Sequence, residues 1–205
     1  MSTIVNTPVT NLIITGVGGQ GNVLAARLLA GVLLEESYEV AVGDVFGLAQ
    51  RGGSVASHVR WTRGRDLPPL VPGQSLHILV AFEPLEALRL LTAYGNAETL
   101  AIVNSATVMP IGVQAGRFSY PEPERLWQAI RELTGKTMIV PGTEMAREVG
   151  QIQALNMVML GALAGSDFTD LHKETFCSVI ESETPAKHLE KNLLAFERGF
   201  QQASG

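Results

Sequence analysis

The feature that most constrains this chain is a glycine-rich loop set between an apolar run and a long apolar segment. Residues 11–15 (NLIIT) have the composition of a short β-strand, and the loop GVGGQG at 16–21 follows at once. Residues 21–37 then carry apolar side chains on nearly every side, which is typical of a buried helix. A strand, a glycine turn and a helix in this order predict the opening of a parallel α/β domain.

The loop matches the pattern G-x-G-x-x-G through Gly16, Gly18 and Gly21. In that pattern the first glycine permits a tight turn, the second lets the backbone approach a pyrophosphate, and the third allows close contact between helix and strand. Asp44 follows the predicted second strand, 39–43, near the position of a ribose-binding acid. The match by itself predicts a dinucleotide-binding Rossmann domain, and a tight packing turn without a ligand is the alternative.

Several features argue against an ordinary dehydrogenase. A chain of 205 residues leaves little room for a separate substrate domain, and it contains no Tyr-x-x-x-Lys motif. Gly19 and Gln20 also make the loop richer in glycine and amide than the fingerprint requires. A free-standing NAD(P)-dependent oxidoreductase and a non-enzymatic nucleotide-binding module both stay open as alternatives at this point.

A second glycine-rich segment contains Gln50, Arg51, Gly52 and Gly53. Adjacent glycines permit unusual backbone dihedral angles. Arg51, between Gln50 and Gly52, can hold a phosphate or carboxylate through two hydrogen bonds. A solvated arginine on a surface loop explains the same spacing equally well.

The remaining polar candidates are His58, on a predicted strand at 55–61, and Asn156, within the apolar stretch 154–165. For His58 a hydrogen-bonded structural role is favoured over a catalytic one. The four histidines have no metal-ligand spacing, and Cys177 is the only cysteine, so one thiol cannot build an iron–sulfur cluster or a cysteine-based zinc site. We predict neither a catalytic residue nor a metal site in this chain.

The predicted architecture is α/β: a Rossmann-like, mostly parallel sheet flanked by helices, with a helical C-terminal third. Residues 1–10 are predicted to be a flexible tail, and 11–205 a single domain. Further strands are expected at 75–82, 99–104 and 137–140. Helices are expected at 84–91, 124–134, 143–149, 154–165, 171–180 and 185–202.

Charge and hydropathy exclude two classes of partner. The formal net charge is -5, and Lys and Arg form no basic run, so no nucleic-acid partner is expected. The longest apolar stretches are shorter than the ~20 residues of a membrane span, and Arg27 or Asn156 interrupts them. A cytoplasmic protein without a membrane partner is therefore predicted.

Taken together, G-x-G-G-Q-G at 16–21 and R-G-G at 51–53 resemble the gamma domain of pyruvate and 2-oxoacid:ferredoxin oxidoreductases. The likeness continues through SVASHVR at 54–60, AFEPLEALR at 81–89, VN at 103–104 and NMVMLGA at 156–162, and thus covers nearly the whole chain. Within that family these stretches look most like the beta subunit of indolepyruvate ferredoxin oxidoreductase. One departure is Phe46, since that subunit often has His before the glycine at this place.

The resemblance implies a subunit that supports oxidative decarboxylation of a 2-oxoacid, an aryl pyruvate such as indolepyruvate, to an acyl-CoA and carbon dioxide. Coenzyme A is then a co-substrate and ferredoxin the electron acceptor. This chain has no Gly-Asp-Gly thiamine motif and too few cysteines for a cluster. A large partner subunit carrying thiamine diphosphate, Mg²⁺ and [4Fe-4S] clusters is therefore expected, and this chain by itself binds no cofactor.

The implied task of the chain is architectural: it covers the active-site mouth and holds the large subunit. Asp44, His58 and Asn156 are secondary candidates for this site. The main candidates for the interface, or for contact with an anion or coenzyme A, come from the two glycine-rich segments: Gly16, Gly18, Gly19, Gln20, Gly21, Gln50, Arg51, Gly52 and Gly53.

Overall fold

The computed structural model describes residues 8–47, 53–64, 66–109 and 119–204. Strands and helices are mixed along the first two thirds of the chain, and helices follow one another in the last third. The strands are β1 (Thr10–Val17), β2 (Glu39–Phe46), β3 (Ser54–Thr62), β4 (Ile78–Ala81), β5 (Leu100–Asn104) and β6 (Lys136–Val140). The helices are α1 (Asn22–Glu35), α2 (Pro84–Tyr94), α3 (Pro123–Glu132), α4 (Gly142–Glu148), α5 (Leu155–Gly165), α6 (Lys173–Glu183) and α7 (Ala186–Ala203).

All six strands belong to one sheet in the order β2-β3-β1-β4-β5-β6. Strands β1, β4, β5 and β6 pair in parallel, whereas β3 is antiparallel to both of its neighbours, β1 and β2. The predicted fold class, a mostly parallel Rossmann-like sheet with a helical C-terminal third, is confirmed. The division into a tail at 1–10 and a domain from 11 stays a prediction.

One detail of the opening differs from the expected parallel β–α–β unit. Strand β2 does not lie beside β1, because β3 lies between them. The cause is a local hairpin: β2 and β3 pair antiparallel from Glu39↔Thr62 to Phe46↔Val55. On its other side, β3 pairs with the full length of β1, from Thr10↔Trp61 to Val17↔Ser54.

Helices cover both faces of the sheet. Helices α1, α5, α6 and α7 pack on one face, around the larger hydrophobic cluster, and α2 and α3 pack on the other. Consecutive residues of β1, Leu12 and Ile13, are consequently both fully buried, one in each cluster. Helices α5 and α7 approach backbone to backbone, since a Cβ on Gly199 would overlap the carbonyl oxygen of Val158.

The carboxyl ends of β1 and β4 lie side by side, because the two strands are parallel neighbours. The chain leaves β1 into α1 on one face, and it leaves β4 into α2 on the opposite face. Such a reversal is the topological switch point at which α/β sheets bind ligands. The glycine loop at 16–21 lies at this point because it connects β1 to α1.

Candidate functional site at the carboxyl edge of the sheet

Three glycines of the first loop are required for different physical reasons. Gly19 and Gly21 have φ angles of 104° and 87°, in the left-handed region that glycine adopts without strain. Gly16 has an ordinary backbone, but a Cβ there would lie 2.6 Å from Oε1 of Gln20 and 2.8 Å from Oδ1 of Asn22. The loop is therefore constrained by backbone conformation at two positions and by packing at the first.

The Gln20 side chain connects the end of β1 to the residue that follows β4. Its Oε1 accepts a hydrogen bond from the backbone N–H of Val17 at 2.7 Å, and its Nε2 donates to the carbonyl oxygen of Phe82 at 3.1 Å. The buried Asn104 side chain donates to the same carbonyl oxygen at 3.0 Å. Amide groups of two side chains thus bind the loop to the ends of β4 and β5.

The two glycine-rich segments meet through their backbones. The N–H of Gly18 donates to the carbonyl oxygen of Gly53 at 2.8 Å, and the N–H of Gln20 donates to the carbonyl oxygen of Val17 at 3.2 Å. Gly18 is the glycine whose N–H would face a pyrophosphate in a dinucleotide site. Here that donor is used inside the protein. Gln50, Arg51 and Gly52 lie outside the described residues.

Asp44 lies apart from the loop. It is on β2, and β3 separates that strand from β1. Its Oδ1 accepts a hydrogen bond from the Ser57 hydroxyl at 2.5 Å. A ribose-binding acid belongs to the strand that follows the glycine loop and lies next to the first strand, so the observed topology does not favour a dinucleotide site.

Asn156, in contrast, contacts the loop directly. It lies in the first turn of α5, is 3% exposed, and its Nδ2 would be 2.9 Å from a Cβ at Gly21. Its Oδ1 accepts from the backbone N–H of Met157 at 3.0 Å. Three segments distant in sequence, around Gly18, Gly53 and Asn156, therefore converge at the start of α1.

His58 is almost fully buried on β3, on the face covered by α2. Its Nδ1 accepts a hydrogen bond from the backbone N–H of Val71 at 3.1 Å, and its ring packs edge-on to Tyr94 with centroids 5.2 Å apart. Burial lowers the pKa of this imidazole, and the nearby Asp44 carboxylate opposes that shift. The hydrogen-bonded structural role that the sequence favoured is thus present.

Sequence reasoning missed a hydrogen-bonded pair at the same edge, Glu83 and Tyr120. Glu83 is fully buried; its Oε2 accepts from the backbone N–H of Glu86 at 2.9 Å and caps α2, and its Oε1 accepts from the Tyr120 hydroxyl at 2.6 Å. Burial raises the pKa of Glu83, and burial and the bond to Glu83 raise the pKa of Tyr120. A carboxylate just before Pro84 is a recognisable cap signal, but no local pattern marks Tyr120.

The described part of the chain contains no group of three or more His, Cys, Asp or Glu side chains placed to hold a metal ion. None of its helices combines the length and apolar character needed to cross a membrane. What the edge of the sheet offers is a rigid backbone turn, the amide groups of Gln20, Asn104 and Asn156, and the Glu83–Tyr120 pair.

Relatives of known name match this chain over nearly all of its length. An indolepyruvate oxidoreductase subunit IorB from Thermococcus kodakarensis is 36% identical over 195 residues, covering 94% of this chain and 95% of that protein. The subunit of the same name from Archaeoglobus fulgidus is 33% identical over 193 residues, covering 94% of each chain. A common gamma subunit of pyruvate/ketoisovalerate oxidoreductases from Thermococcus kodakarensis is 26% identical over 188 residues, 90% of this chain and 92% of that one.

Solved structures share the fold. The gamma subunit of a keto/oxoacid ferredoxin oxidoreductase from Geobacter sulfurreducens has a TM-score of 0.69 at 20% identity, covering 95% of this chain and 98% of its own. A 2-oxoglutarate:ferredoxin oxidoreductase from Magnetococcus marinus has a TM-score of 0.70 at 19% identity, and the match covers 95% of this chain but 31% of that longer chain. The same fold thus occurs as a separate subunit and as part of a larger polypeptide.

The family described as pyruvate ferredoxin/flavodoxin oxidoreductase matches residues 11–202. The resemblance that the glycine-rich segments indicated is confirmed, as are the oxidoreductase class and the role of a small subunit that it implied. This chain belongs to the pyruvate ferredoxin/flavodoxin oxidoreductase family.

Proposed function

We propose that this chain is the small subunit of a thiamine diphosphate-dependent oxidoreductase that decarboxylates indolepyruvate or a related aryl pyruvate. The observation that carries the proposal is the end-to-end likeness, at 31–36% identity, to four subunits that bear the indolepyruvate oxidoreductase name. The carbon–carbon bond next to the oxo group is cleaved to release carbon dioxide, and the acyl group passes to coenzyme A. The two electrons released pass through iron–sulfur clusters to ferredoxin.

The cofactors of this reaction are assigned to a large partner subunit. The sequence has a single cysteine, whereas a [4Fe-4S] cluster takes four cysteine thiolates, so the side chains of this chain do not fit such a group. Thiamine diphosphate and its Mg²⁺ belong to the same partner in this proposal. The reaction takes place in the cytoplasm, in keeping with the sequence-based prediction.

In this proposal the small subunit covers the active-site mouth and holds the large subunit. The Gly18–Gly53 hydrogen bond supports this role because it joins the two family motifs into one surface at the carboxyl edge of the sheet. Arg51 precedes Gly53 by two residues in the sequence, and in the proposal it contacts the large subunit or an anionic group of the oxoacid or coenzyme A. The subunit supplies no catalytic residue of its own.

The test begins with capture of partners from the native host on a tagged full-length chain. We expect recovery of a large chain that contains thiamine diphosphate and iron, and a complex that reduces ferredoxin when given indolepyruvate and coenzyme A. Capture of a complex that oxidises another 2-oxoacid would contradict the proposed substrate, an aryl pyruvate. Submillimolar binding of NAD by the chain, with no thiamine-containing partner, would contradict the whole proposal in favour of a nucleotide-binding protein.

Arg51→Ala tests the contribution of the second motif within that complex. We expect weaker assembly or a several-fold higher apparent KM for the oxoacid or coenzyme A, because a bidentate contact to an anion is lost. Arg198→Ala is the matched control, since Arg198 is an exposed residue of α7 and lies far from both motifs in the sequence. Wild-type assembly and kinetics in Arg51→Ala would remove Arg51 from the site.

A further inference from the structure

Strand β2 forms one edge of the sheet, and among the described residues its outer side has no partner. In the sheet order β3 is the only neighbour of β2. The strand is eight residues long, and its register with β3 runs without a break from Glu39↔Thr62 to Phe46↔Val55. An edge of this length presents a row of backbone donors and acceptors to which another strand can be added.

The hydrogen-bond pattern shows which backbone groups of β2 face outward. The N–H of Gly47 donates to the carbonyl oxygen of Ser54 at 2.8 Å, in the register of the hairpin. Along an antiparallel strand alternate residues bond to the same neighbour, so every second residue counted back from Gly47 bonds to β3. The residues between them turn their N–H and C=O groups away from β3, and no described residue bonds to these groups. The outward residues of β2 are Val40, Val42, Asp44 and Phe46.

Strand β2 lacks the features by which proteins usually keep an exposed edge from pairing. Natural edge strands are short, or they carry a lysine, a proline or a bulge. Residues 28–50 contain no Lys, no Arg and no Pro. The unbroken register with β3 excludes a bulge in β2. The edge is therefore open to the addition of a strand.

The side chains at this edge are apolar on both faces of the sheet. Val42 lies opposite Val59, a residue of the larger hydrophobic cluster, and so belongs to the α1 face. Val45 lies on the other face, as does Gly43, against which Leu70 packs. Val42, Val45 and Leu70 are between 40% and 51% exposed. Grouped apolar surface of this kind marks an interaction site, and a strand added to β2 would cover it on both faces.

The charge of the edge discriminates between a second copy of this chain and a different chain. Glu39 and Asp44 are both exposed on β2, and residues 28–50 carry no basic side chain. Pairing of two copies would bring two acidic edges together without a basic residue to compensate, and like charges across a ladder destabilise it. A strand that carries Lys or Arg among apolar residues is complementary to this edge.

We propose that a β-strand of the large subunit extends the sheet at β2, through an extended segment with apolar residues and at least one Lys or Arg. The identity of the partner rests on the proposed function, whereas the open edge and its acidic charge do not depend on it. Backbone hydrogen bonds to the outward residues hold the added strand. Asp44, whose Oδ1 accepts from the Ser57 hydroxyl at 2.5 Å, supplies a positioned carboxylate for the basic side chain.

The test is residue-resolved hydrogen exchange of the full-length small subunit, free and in its purified complex with the large subunit. In the free chain we expect slow exchange at the N–H groups of Ala41, Gly43 and Val45, which bond to β3, and fast exchange at the outward residues. In the complex, exchange at the outward residues should slow at least about tenfold, because they bond to the added strand. Equally fast exchange there in both states would overturn the proposal. Slow exchange there in a free chain that sediments as a dimer would overturn it in favour of a second copy.

A matched pair of substitutions at Val42 tests the backbone contact. Val42→Pro removes an outward N–H, whereas Val42→Thr keeps that N–H and the β-branched shape. Proline is tolerated at an edge position whose N–H faces away from the sheet, so both chains should fold. We expect Val42→Pro to bind the large subunit about tenfold more weakly, through the lost hydrogen bond, and Val42→Thr to bind within a few-fold of wild type. Wild-type binding by a folded Val42→Pro chain would overturn the proposal.

Asp44→Asn tests the charge without altering the backbone. The asparagine retains an acceptor for the Ser57 hydroxyl and removes the carboxylate charge. We expect wild-type affinity for the large subunit to fall as salt is added, and Asp44→Asn to bind several-fold more weakly at low salt with a smaller salt dependence. Identical affinity and salt dependence in the two chains would overturn the assignment of a basic segment.

Failure of this inference is distinguishable from failure of the proposed function. A complex that contains thiamine diphosphate and reduces ferredoxin, but leaves exchange at the outward residues unchanged, would sustain the proposed function and overturn the strand addition. A partner without thiamine diphosphate that slows exchange at the outward residues would overturn the proposed function and the assignment of the strand to a large thiamine-containing subunit.

Discussion

The parallel half of the sheet and the β2–β3 hairpin differ in how deeply their strands are buried. Every residue of β4 is buried, since helices cover it on both faces, whereas β2 at the sheet edge has no fully buried residue and exposes Phe46 to 64%. The switch-point network of Gln20 and Asn104 belongs to the parallel half. The hairpin brings the second glycine-rich segment and His58. The comparison indicates a buried scaffold on one side and, in the proposed function, the contact region on the other.

The largest expected effect on stability comes from disrupting the packing of α5 against α7. Gly199→Ala would force α5 and α7 apart because its Cβ has no room beside Val158, and overpacking of this kind should lower the free energy of unfolding by about 3 kcal/mol. Chemical denaturation measures it. Gly64→Ala is the control: Gly64 has a φ of 89° but no heavy atom near its missing Cβ, so only backbone strain of about 1 kcal/mol is expected. Equal losses in both variants would contradict the packing argument.

A smaller effect on the scaffold comes from Tyr120→Phe. The change leaves Oε1 of the buried Glu83 without its donor, and a lost hydrogen bond to a buried carboxyl should lower the free energy of unfolding by about 2 kcal/mol at pH 7. Chemical denaturation again gives the value. Tyr94→Phe serves as a comparison on α2, and a Tyr120→Phe chain as stable as wild type would show that the Glu83–Tyr120 bond contributes nothing.

The Glu83–Tyr120 pair predicts that the free energy of unfolding depends on pH. Since burial raises the pKa of Glu83, the folded state holds this proton more tightly than the unfolded state. Burial of Glu83 therefore costs the folded state least below the ordinary pKa of Glu. As the pH rises from there through the raised pKa, the free energy of unfolding decreases. Tyr120→Phe removes a donor that stabilises the carboxylate, so the difference in stability between the two proteins should grow with pH across this window. A difference in stability between wild type and Tyr120→Phe that stays constant with pH would contradict this prediction.

The smallest effect on stability is expected on the hairpin. Phe46→Ser changes a largely exposed side chain, so the free energy of unfolding of the isolated chain should change by no more than about 0.5 kcal/mol. Capture of the large subunit should nevertheless weaken several-fold if the hairpin forms the contact region. Leu194→Ser on α7, where Leu194 is 45% exposed, is the matched control and should leave capture unchanged.

Much of the fold was predictable because its signals are local. Apolar periodicity placed β1, the buried helix α1 and the helical last third within a few residues of their observed bounds. The position of β3 between β1 and β2 was not predictable in this way. Its pairing with β1 joins residues more than 35 positions apart, such as Val17 and Ser54, and no local preference encodes such a register.

The candidate site was likewise predictable only in part. The sequence by itself determined that a glycine turn joins a strand to a buried helix, that a second glycine-rich segment follows, and that one cysteine cannot hold a cluster. Tertiary structure alone decided that the Gly18 N–H is bound to Gly53, that Asp44 lies away from the loop, and that His58 Nε2 is buried without a hydrogen-bond partner among the described residues. Backbone conformation depends on neighbouring residues, whereas the partner of a hydrogen-bond donor depends on which distant segments folding brings to it.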